Sequence, residues 1–432
     1  MNQETFRMVF DPSQVDVGSG DILIHYTDPK VESNGDLYVP MRAAGTPVVY
    51  SVQQITGGTP GWTFTSDYVR QPSTAWEPVF DFAINNGLVY VMRRYGCVSI
   101  LNEADGTPVD YKCSTDTDPT GQPIWIVSPF TIDGNGNVFW TVRASAGADI
   151  NSSIVKLDTS GNIARADLAT LAGANQIAAN NSAVAISPDN STIYAATTLA
   201  NQTGGRLLAL DQSFNVLWNA SLRVDVPGCH EARLNDSGTS SPIALPDGGA
   251  AIGGWSSPTS PGCTAAECPV SEGFYYNFDN TGTMRGCYQF GWDDTMGQIT
   301  LNGTNYLVGK HNHYTASPSP FFELVVLDGT TMQKVWSYLA ENRDPVHGPY
   351  EWCIDAPTLF KVTADDGTET GYAVVPSESG DLFEITLFSN PPIETDFPVG
   401  GPQNAAYVPT VSIGGSAYTI NHGQVVGVGN GM

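Results

Sequence analysis

Basic residues are scarce in this chain. Its 432 residues include 18 Lys and Arg against 44 Asp and Glu, which gives a formal net charge of −26 at pH 7. A surface of this sign repels phosphate backbones and anionic membranes, so the charge disfavours nucleic acid as a partner and membrane insertion is not expected. Cations, neutral sugars and basic proteins are compatible with it.

Long apolar and long helical segments are also missing. No run approaches the roughly 20 apolar residues that cross a bilayer as a helix, and the best helical window, residues 164–179, predicts only one or two turns within a loop. Short Val, Ile, Tyr, Phe and Trp runs alternate instead with turns rich in the 45 Gly and 29 Pro. This pattern is typical of strands joined by tight turns and predicts an all-β protein.

Several catalytic and metal motifs are absent. The chain has no Cys-x-x-Cys pair, no haem-attachment motif, no Gly-x-Ser-x-Gly, no phosphate loop and no dinucleotide fingerprint. Structural zinc sites, cytochromes and the enzymes that depend on those devices are therefore disfavoured. The run Asp133-Gly134-Asn135-Gly136-Asn137 superficially resembles a calcium loop. It lacks the Gly that such a loop requires directly after this run, and it lacks the closing Glu, so it predicts a β-turn.

One pattern recurs along the chain: an apolar residue, then Asp or Asn, a polar turn usually containing Gly, then a strand that often ends in Trp. The copies begin at Leu101-Asn102, Leu157-Asp158, Leu210-Asp211, Phe278-Asp279 and Leu327-Asp328, with a degenerate first copy from Ile55 to Trp62. Repeats of this kind at periods near 50 residues are typical of propellers.

A second pattern precedes each copy: a small or Pro-containing strand, a Gly, Asn or Asp turn, and a strand of aromatic and β-branched residues. Examples are Asn34-Gly35-Asp36-Leu37-Tyr38 and Asn86-Gly87-Leu88-Val89-Tyr90. Eight such units divide 432 residues into about 54 each, which suits a four-stranded blade of about 40 to 50 residues with its loops.

The two patterns together predict a single β-propeller domain over residues 1–432, with about eight four-stranded blades and seven as the alternative count. The expected blades cover residues 20–70, 76–115, 124–168, 180–224, 238–290, 294–340, 352–398 and 405–432, the last completed by residues 5–11. This N-terminal strand would close the ring and remove free sheet edges. The alternatives are a β-helix, which has shorter periods, and tandem sandwiches.

The copies Leu327-Asp328 to Trp336 and Leu210-Asp211 to Trp218 resemble the repeat of the pyrroloquinoline-quinone-like, or quinoprotein dehydrogenase, propellers. The resemblance implies that the Trp docks between neighbouring blades. The quinone enzymes share two adjacent cysteines beside the cofactor, and this chain has no Cys-Cys pair. The resemblance therefore implies fold without activity, and we expect no bound cofactor; the alternative is a divalent metal, either calcium or a His-bound transition metal.

Cysteines, sequons and scarce lysine favour an extracellular, periplasmic or cell-surface location. Of the seven cysteines, Cys97 with Cys113 and Cys263 with Cys268 are candidate disulfides, although sequence leaves the connectivity open. The first residues lack a signal peptide, so the alternatives are a removed signal and a cytosolic chain. The candidate glycosylation sites are Asn151, Asn180, Asn190, Asn201, Asn219, Asn235 and Asn302.

In a propeller, the loops that enter each innermost strand share one rim with the loops between second and third strands. That rim would collect tryptophans, acids and arginines that suit the binding of sugar rings and their hydroxyl or carboxylate groups. The candidate ligand-binding residues are Trp76, Glu77, Arg143, Trp292, Asp293, Glu351 and Trp352. The alternative is that the Trp residues pack between blades and the acids cap turns.

His311 and His313 could act as a general base or bind a divalent metal, because positions two apart on a strand face the same side. Arg93 and Arg94 could then neutralise a uronate.

Three functions follow: a secreted propeller that binds a glycan or protein on its rim, a carbohydrate-active lyase or glycosidase, and a self-assembling extracellular structural subunit. The first is favoured because it requires nothing that the sequence lacks.

Overall fold

A computed structural model describes most of the chain. The described residues are 5–6, 29–43, 48–69, 80–199, 204–222, 240–256, 272–290, 295–313, 321–339, 357–376, 381–398, 410–413, 416–421 and 424–429. They form antiparallel sheets, six of four strands and two of five. In the five-stranded sheets the innermost strand is split into two segments that pair with the same neighbour. The prediction of an all-β fold is confirmed.

The chain forms two compact units. We number the sheets I to VIII in chain order and count the N-terminal strand as the last strand of sheet VIII. The first unit contains sheets I, VI, VII and VIII. Sheet I consists of Lys30–Val31, Leu37–Ala43, Val49–Thr56 and Thr59–Ser66. Sheet VI consists of Gly297–Leu301, Thr304–His313, Phe321–Asp328 and Lys334–Leu339, and sheet VII of Thr358–Thr363, Glu369–Pro376, Asp381–Thr386 and Ile393–Pro398. Sheet VIII consists of Val411–Ile413, Ser416–Asn421, Gln424–Gly429 and, as its last strand, Thr5–Phe6.

The second unit contains sheets II to V. Sheet II consists of Phe82–Asn85, Leu88–Met92, Cys97–Asn102 and Pro108–Cys113; sheet III of Ile124–Ile126, Thr131–Ile132, Val138–Ala144, Ser153–Leu157 and Ile163–Asp167; sheet IV of Gln176–Ala178, Ala185–Ile186, Thr192–Leu199, Arg206–Asp211 and Val216–Ser221; and sheet V of Ile243–Ala244, Ala250–Ser256, Glu272–Phe278 and Met284–Gln289.

Helix is confined to short turns in the described residues. A 3-10 turn covers Arg94–Gly96, and the window predicted as one or two helical turns contains one α-helix, Leu168–Ala172. The Asp167 side chain caps this helix by accepting a hydrogen bond from Ala169 N. Among the described residues, no helix has the length and apolar character needed to cross a bilayer.

Tight Asn-Gly turns join the first and second strands of two sheets. Asn86 and Gly87 have φ of 52° and 78°, and Asn302 and Gly303 have φ of 49° and 81°. Two-residue hairpins of this kind need positive φ at both positions, which Asn and Gly tolerate best. The Asn86-Gly87 pair noted in the sequence, and Asn302-Gly303, therefore fix where these strands reverse.

Asp residues build the turn between third and outer strands. Asp211 Oδ1 accepts hydrogen bonds from Ser213 N and Asn215 N at 2.8 and 2.9 Å, and Oδ2 accepts one from the Asn215 side chain. Asp158 does the same with Ser160 and Asn162. The repeated Asp is thus an organiser of the turn, because one carboxylate satisfies several donors.

The carboxylate of Asp133 has the same role in the run that superficially resembles a calcium loop. Its Oδ1 accepts hydrogen bonds from Asn135 N and Asn137 N, and Oδ2 accepts one from the Asn137 side chain. The predicted β-turn is confirmed.

The third strand of sheet IV is buried on both faces. Leu207, Leu208, Ala209 and Leu210 are fully buried. Leu207 and Ala209 share a core with the aromatic residues of sheet V, whereas Leu208 and Leu210 share one with sheet III. A continuous apolar run replaces the usual alternation because neighbouring sheets cover both faces.

The first strands of neighbouring sheets are joined by hydrogen bonds within the second unit. Phe130 N donates to Asp81 Oδ2 at 2.8 Å, Asn181 N to Val127 O at 2.8 Å, and Ala183 N to Ser241 Oγ at 2.9 Å. Asp81 and Ser241, beside the first strands of their sheets, therefore have a structural role, because their side chains accept hydrogen bonds from backbone amides of an adjacent sheet.

Trp218, on the outer strand of sheet IV, packs against sheet V. Its ring lies 6.3 Å from that of Phe278 and is 8% exposed. Gly282, in the turn of sheet V, has φ of 80°, and a Cβ built on it would lie 2.9 Å from Trp218 Cδ2. The Trp thus fits against a position that only Gly can occupy without a shift.

Trp336 makes a related contact in the first unit. Its Nε1 donates to Ser389 O of sheet VII at 3.3 Å, and its ring lies 6.1 Å from Phe388. The two Trp residues that carry the repeat resemblance therefore both dock on the following sheet, as the resemblance implied.

Substitution of Gly282 by Ala tests this docking. We expect Gly282→Ala to lower the free energy of unfolding by about 1–3 kcal/mol more than Gly87→Ala, because only the former places a methyl group against Trp218. Gly87 is a matched control, with φ of 78° and no atom within 4 Å of its added Cβ. Denaturant unfolding of the two variants measures the difference, and equal losses would contradict the contact.

Low pH should reduce the stability that the Asp carboxylates give to the turns between third and outer strands. Hydrogen bonds from the Asn215 side chain and backbone lower the pKa of Asp211 below its ordinary value of 3.8. The stabilisation is therefore complete above that value and is lost as the pH falls through the lower folded-state pKa. We expect Asp211→Asn to reduce the urea midpoint at pH 7 and to differ less from the wild type at pH 3.

Asp365→Asn is the control for charge, because the Asp365 carboxylate accepts no hydrogen bond from a described residue. Its urea midpoint should stay near that of the wild type at both pH values. A deficit of Asp211→Asn that is as large at pH 3 as at pH 7 would disprove the proposed role of the carboxylate.

Candidate functional site

Four of the predicted site residues have described side chains: Arg93, Arg94, Arg143 and His311. His313 is described only as the last residue of its strand. Trp76, Glu77, Trp292, Asp293, Glu351 and Trp352 lie outside the described residues.

Arg93 and Arg94 occupy the connection between the second and third strands of sheet II. The chain turns there through left-handed Tyr95 and Gly96, with φ of 61° and 73°. A left-handed conformation is uncommon for a bulky residue such as Tyr. Gly96 is required, because an added Cβ would lie 2.4 Å from Ser114 Oγ and 2.8 Å from Ile124 Cγ2.

A disulfide fixes the chain directly after this turn. Cys97 and Cys113 face each other in the register of sheet II and are bonded, so the predicted pairing is confirmed. Cys287 is disulfide-bonded as well. The other predicted pair, Cys263 and Cys268, lies outside the described residues.

Asp67, directly after the outer strand of sheet I, binds both arginines. Its Oδ1 accepts a hydrogen bond from Arg93 Nε, and its Oδ2 lies 2.9 Å from Arg94 Nε. Arg93 Nη1 also donates to Ser99 Oγ at 2.9 Å. One carboxylate is therefore shared between two guanidinium groups, and the three side chains carry a net charge of about +1 at neutral pH.

The ion pairs shift the titration of these groups. Burial alone would raise the pKa of Asp67, but the hydrogen bond and charge of Arg93, with the Arg94 backbone amide and charge, lower it overall. The hydrogen bond with Asp67 raises the pKa of Arg93. Asp67 is therefore ionised, and Arg93 is charged, throughout the neutral range.

Two tyrosines complete the group. Arg93 Cζ lies 5.5 Å from the centroid of the Tyr111 ring, and Arg94 Cζ lies 5.0 Å from that of Tyr95. Each guanidinium is thus within cation–π range of an aromatic ring, which favours one orientation. Tyr111 is 44% exposed. We call Asp67, Arg93, Arg94, Tyr95 and Tyr111 the arginine–tyrosine cluster.

Asp67, Tyr95 and Tyr111 were missed by the sequence reasoning. Asp67 lies in a loop that enters a sheet, which is the class of loop in which the predicted Trp and acidic residues occur. The topological rule could therefore have selected it. Tyr111 belongs to an outer strand, which that rule does not consider.

Arg143 is placed differently. It is 3% exposed, and its Nε donates to Ala178 O of sheet IV at 2.7 Å. Its described contact thus joins the second strand of sheet III to the next sheet, which is a structural role; ligand binding by Arg143 stays a prediction.

His311 belongs to sheet VI of the first unit, where it pairs in register with Glu323. Glu323 is buried and accepts hydrogen bonds from Lys334 Nζ at 3.1 and 3.2 Å. Among the described residues, no three His, Cys, Asp or Glu side chains are grouped as metal ligands. A metal-binding or basic role of His311 and His313 stays a prediction.

The described sequons differ in their accessibility. Asn151 and Asn302 are exposed, and Asn190 is partly buried. Asn180 is 1% exposed, and the Asn219 amide donates to Leu171 O and Ala172 O while accepting from Arg206. Asn151 and Asn302 thus present the most accessible amides of these five. Asn201 and Asn235 lie outside the described residues.

Solved structures resemble the whole chain. BamB from Moraxella catarrhalis has a TM-score of 0.51 at 14% identity, with 99% of this chain and 96% of that one covered. Quinohemoprotein alcohol dehydrogenase from Comamonas testosteroni has 0.54 at 12% identity, covering 99% and 75%. A europium-containing methanol dehydrogenase has 0.56 at 11%, covering 98% and 85%. No protein-family model and no curated protein sequence matches.

These neighbours are PQQ-like β-propellers. The predicted resemblance is therefore confirmed, and at such low identity it concerns the fold alone. The paired cysteines of the quinone enzymes have no counterpart here: no two of the seven cysteines are adjacent in sequence, and Cys97 and Cys113 join two strands. The absence of a bound quinone stays a prediction.

Removal of the disulfide tests how firmly the cluster is held. We expect the double variant Cys97→Ser/Cys113→Ser to lose about 2–4 kcal/mol of unfolding free energy, since the bond closes a loop with a sequence separation of 16. Denaturant unfolding without reductant measures this and leaves the disulfide of Cys287 intact. An unchanged midpoint would show that the strand pairing alone holds the turn.

Proposed function

We propose that this protein is an extracellular recognition propeller that binds a glycan or a protein through the rim on which the arginine–tyrosine cluster lies. The observation that carries the proposal is the cluster itself: two guanidinium groups share one carboxylate and lie over two tyrosine rings. Charge, directed donors and aromatic surface in one place are the chemistry of a binding site.

The proposal includes a ring of eight blades closed by the N-terminal strand. Its support is local: Thr5 and Phe6 pair with Val428 and Gly427 and supply the outer strand of sheet VIII. Among the neighbours, BamB and the methanol dehydrogenase are eight-bladed. A closed ring would leave sheet edges only at the periphery and place the loops of all blades around one channel.

An extracellular location is supported by the disulfides. Cys97–Cys113 and the disulfide of Cys287 would persist only in an oxidising compartment. The exposed sequons at Asn151 and Asn302 are compatible with glycosylation there.

The contacts of the cluster favour recognition over catalysis. Its acid, Asp67, is engaged by both arginines and has a lowered pKa, which makes it a poor proton acceptor at neutral pH. The cluster therefore supplies fixed charge and hydrogen-bond donors. We assign it no bond-breaking step.

A binding panel tests the function. Wild-type protein is screened against neutral and acidic glycans and against basic and acidic proteins, by calorimetry or surface plasmon resonance. We expect binding to at least one class, and a loss of about tenfold or more on Tyr111→Ala, since buried aromatic anchors dominate such sites.

Lys112→Gln is the control variant. Lys112 is the next residue on the same strand, faces the opposite side and pairs with Asp110 at 3.0 Å. Its affinity should equal that of the wild type. Absence of binding throughout the panel, or equal losses in Tyr111→Ala and Lys112→Gln, would refute the proposed site.

A further inference from the structure

We infer that the ligand of the arginine–tyrosine cluster is a uronate-bearing glycan, whose carboxylate is held by the two outer nitrogens of Arg94. This inference rests on the proposed function and specifies the chemistry of its ligand. Arg94 is a direct binding residue in this scheme, and Arg93 and Asp67 position it.

Arg94 has donor groups that no described residue accepts. Its Nε faces Asp67, and its backbone N donates to the same carboxylate at 3.4 Å. Neither Nη1 nor Nη2 donates to a described residue, and 48% of the side chain is exposed. Two parallel donors at the edge of a planar guanidinium match the two oxygens of a carboxylate.

The local charge favours an anion despite the net charge of −26. Asp67 is paired with both arginines, and these three described side chains together carry a net charge of about +1. Asp118 is within electrostatic range of Tyr111, but it is fully exposed and accepts a hydrogen bond from Thr120 N at 2.9 Å. At an ionic strength of about 0.15 M, charges more than about 8 Å away are largely screened, so the near groups decide.

Arg94 is also oriented before any ligand arrives. Left-handed Tyr95 and Gly96 set the turn, Cys97 is bonded to Cys113, and the guanidinium is held between Asp67 and the Tyr95 ring. A long side chain that is already ordered loses less conformational entropy on binding.

The surroundings indicate that the anion is carried by a ring. Tyr111 lies within cation–π range of Arg93 and is 44% exposed. A sugar ring can place its apolar C–H face on such surfaces while its carboxylate reaches the guanidinium. A free inorganic anion would use only the charge. Uronates combine both features in one residue.

The experiment compares three polymers on the full-length protein at constant ionic strength: polygalacturonate, its fully methyl-esterified form and dextran sulfate. Esterification removes the charge and keeps the sugar ring, whereas dextran sulfate supplies charge without a carboxylate. Calorimetry with wild type, Arg94→Lys, Arg94→Gln, Asp118→Asn and Lys112→Gln gives the affinities. Thermal unfolding of every variant confirms that each is folded.

Polygalacturonate should bind at least tenfold more tightly than the ester or dextran sulfate. Arg94→Gln should lose about tenfold and Arg94→Lys several-fold, because lysine keeps the charge but not the paired donors. Asp118→Asn and Lys112→Gln should both match the wild type, because the Asp118 charge is exposed and screened and Lys112 faces the opposite side of its strand.

The failures are distinguishable. Equal binding of polygalacturonate and its ester, with no effect of Arg94→Gln, would leave the proposed function intact and overturn the uronate assignment. Dextran sulfate bound as tightly as polygalacturonate would show that charge alone is recognised and would also overturn it. No binding of any glycan or protein in the wider panel would refute the proposed function itself.

Discussion

The architecture depends on the packing of a tryptophan on the following sheet. In the closest such contact that the structure describes, the ring lies against a glycine. Sheet IV has apolar residues on both faces, as Leu207 to Leu210 show, so each of its faces needs a neighbouring sheet to cover it. Trp218 sets the approach of sheets IV and V at Gly282, and Trp336 makes the related contact between sheets VI and VII. Protein interiors are close-packed. If the turn had no space for the Trp ring, the sheet that carries the turn would have to move away from the sheet that carries the Trp.

The candidate site lies on sheet II. This sheet is joined to sheet III beside its first strand, where Asp81 accepts a hydrogen bond from Phe130 N. The turn that carries Arg93 and Arg94 rests on this sheet and is fixed by Cys97–Cys113. These contacts hold the backbone of the turn, and the ion pairs with Asp67 orient the two guanidinium groups. Recognition would use a geometry that folding has already established.

The repeated turns made much of the fold predictable. Asn-Gly pairs such as Asn86-Gly87 and Asp turns such as Asp211 act through their own backbone, so a local reading of the sequence suffices. Cys97 and Cys113 were predictable because the two strands are joined by a short turn. The partners of Arg93, Arg94 and Arg143 were not predictable: they depend on which loop of another sheet lies nearest, and Asp67 and Ala178 O are set by tertiary packing. The pattern located the strands but not the side-chain pairs between sheets.

A double-mutant cycle between Trp218→Leu and Gly282→Ala tests the central contact most directly. If the Trp ring fills the space above Gly282, the added methyl group will cost much less once the ring is gone, and the two losses in unfolding free energy will be non-additive by about 0.5–3 kcal/mol. Additivity within about 0.3–0.5 kcal/mol would mean that the two residues act independently, and the account of how adjacent sheets are held together would be wrong.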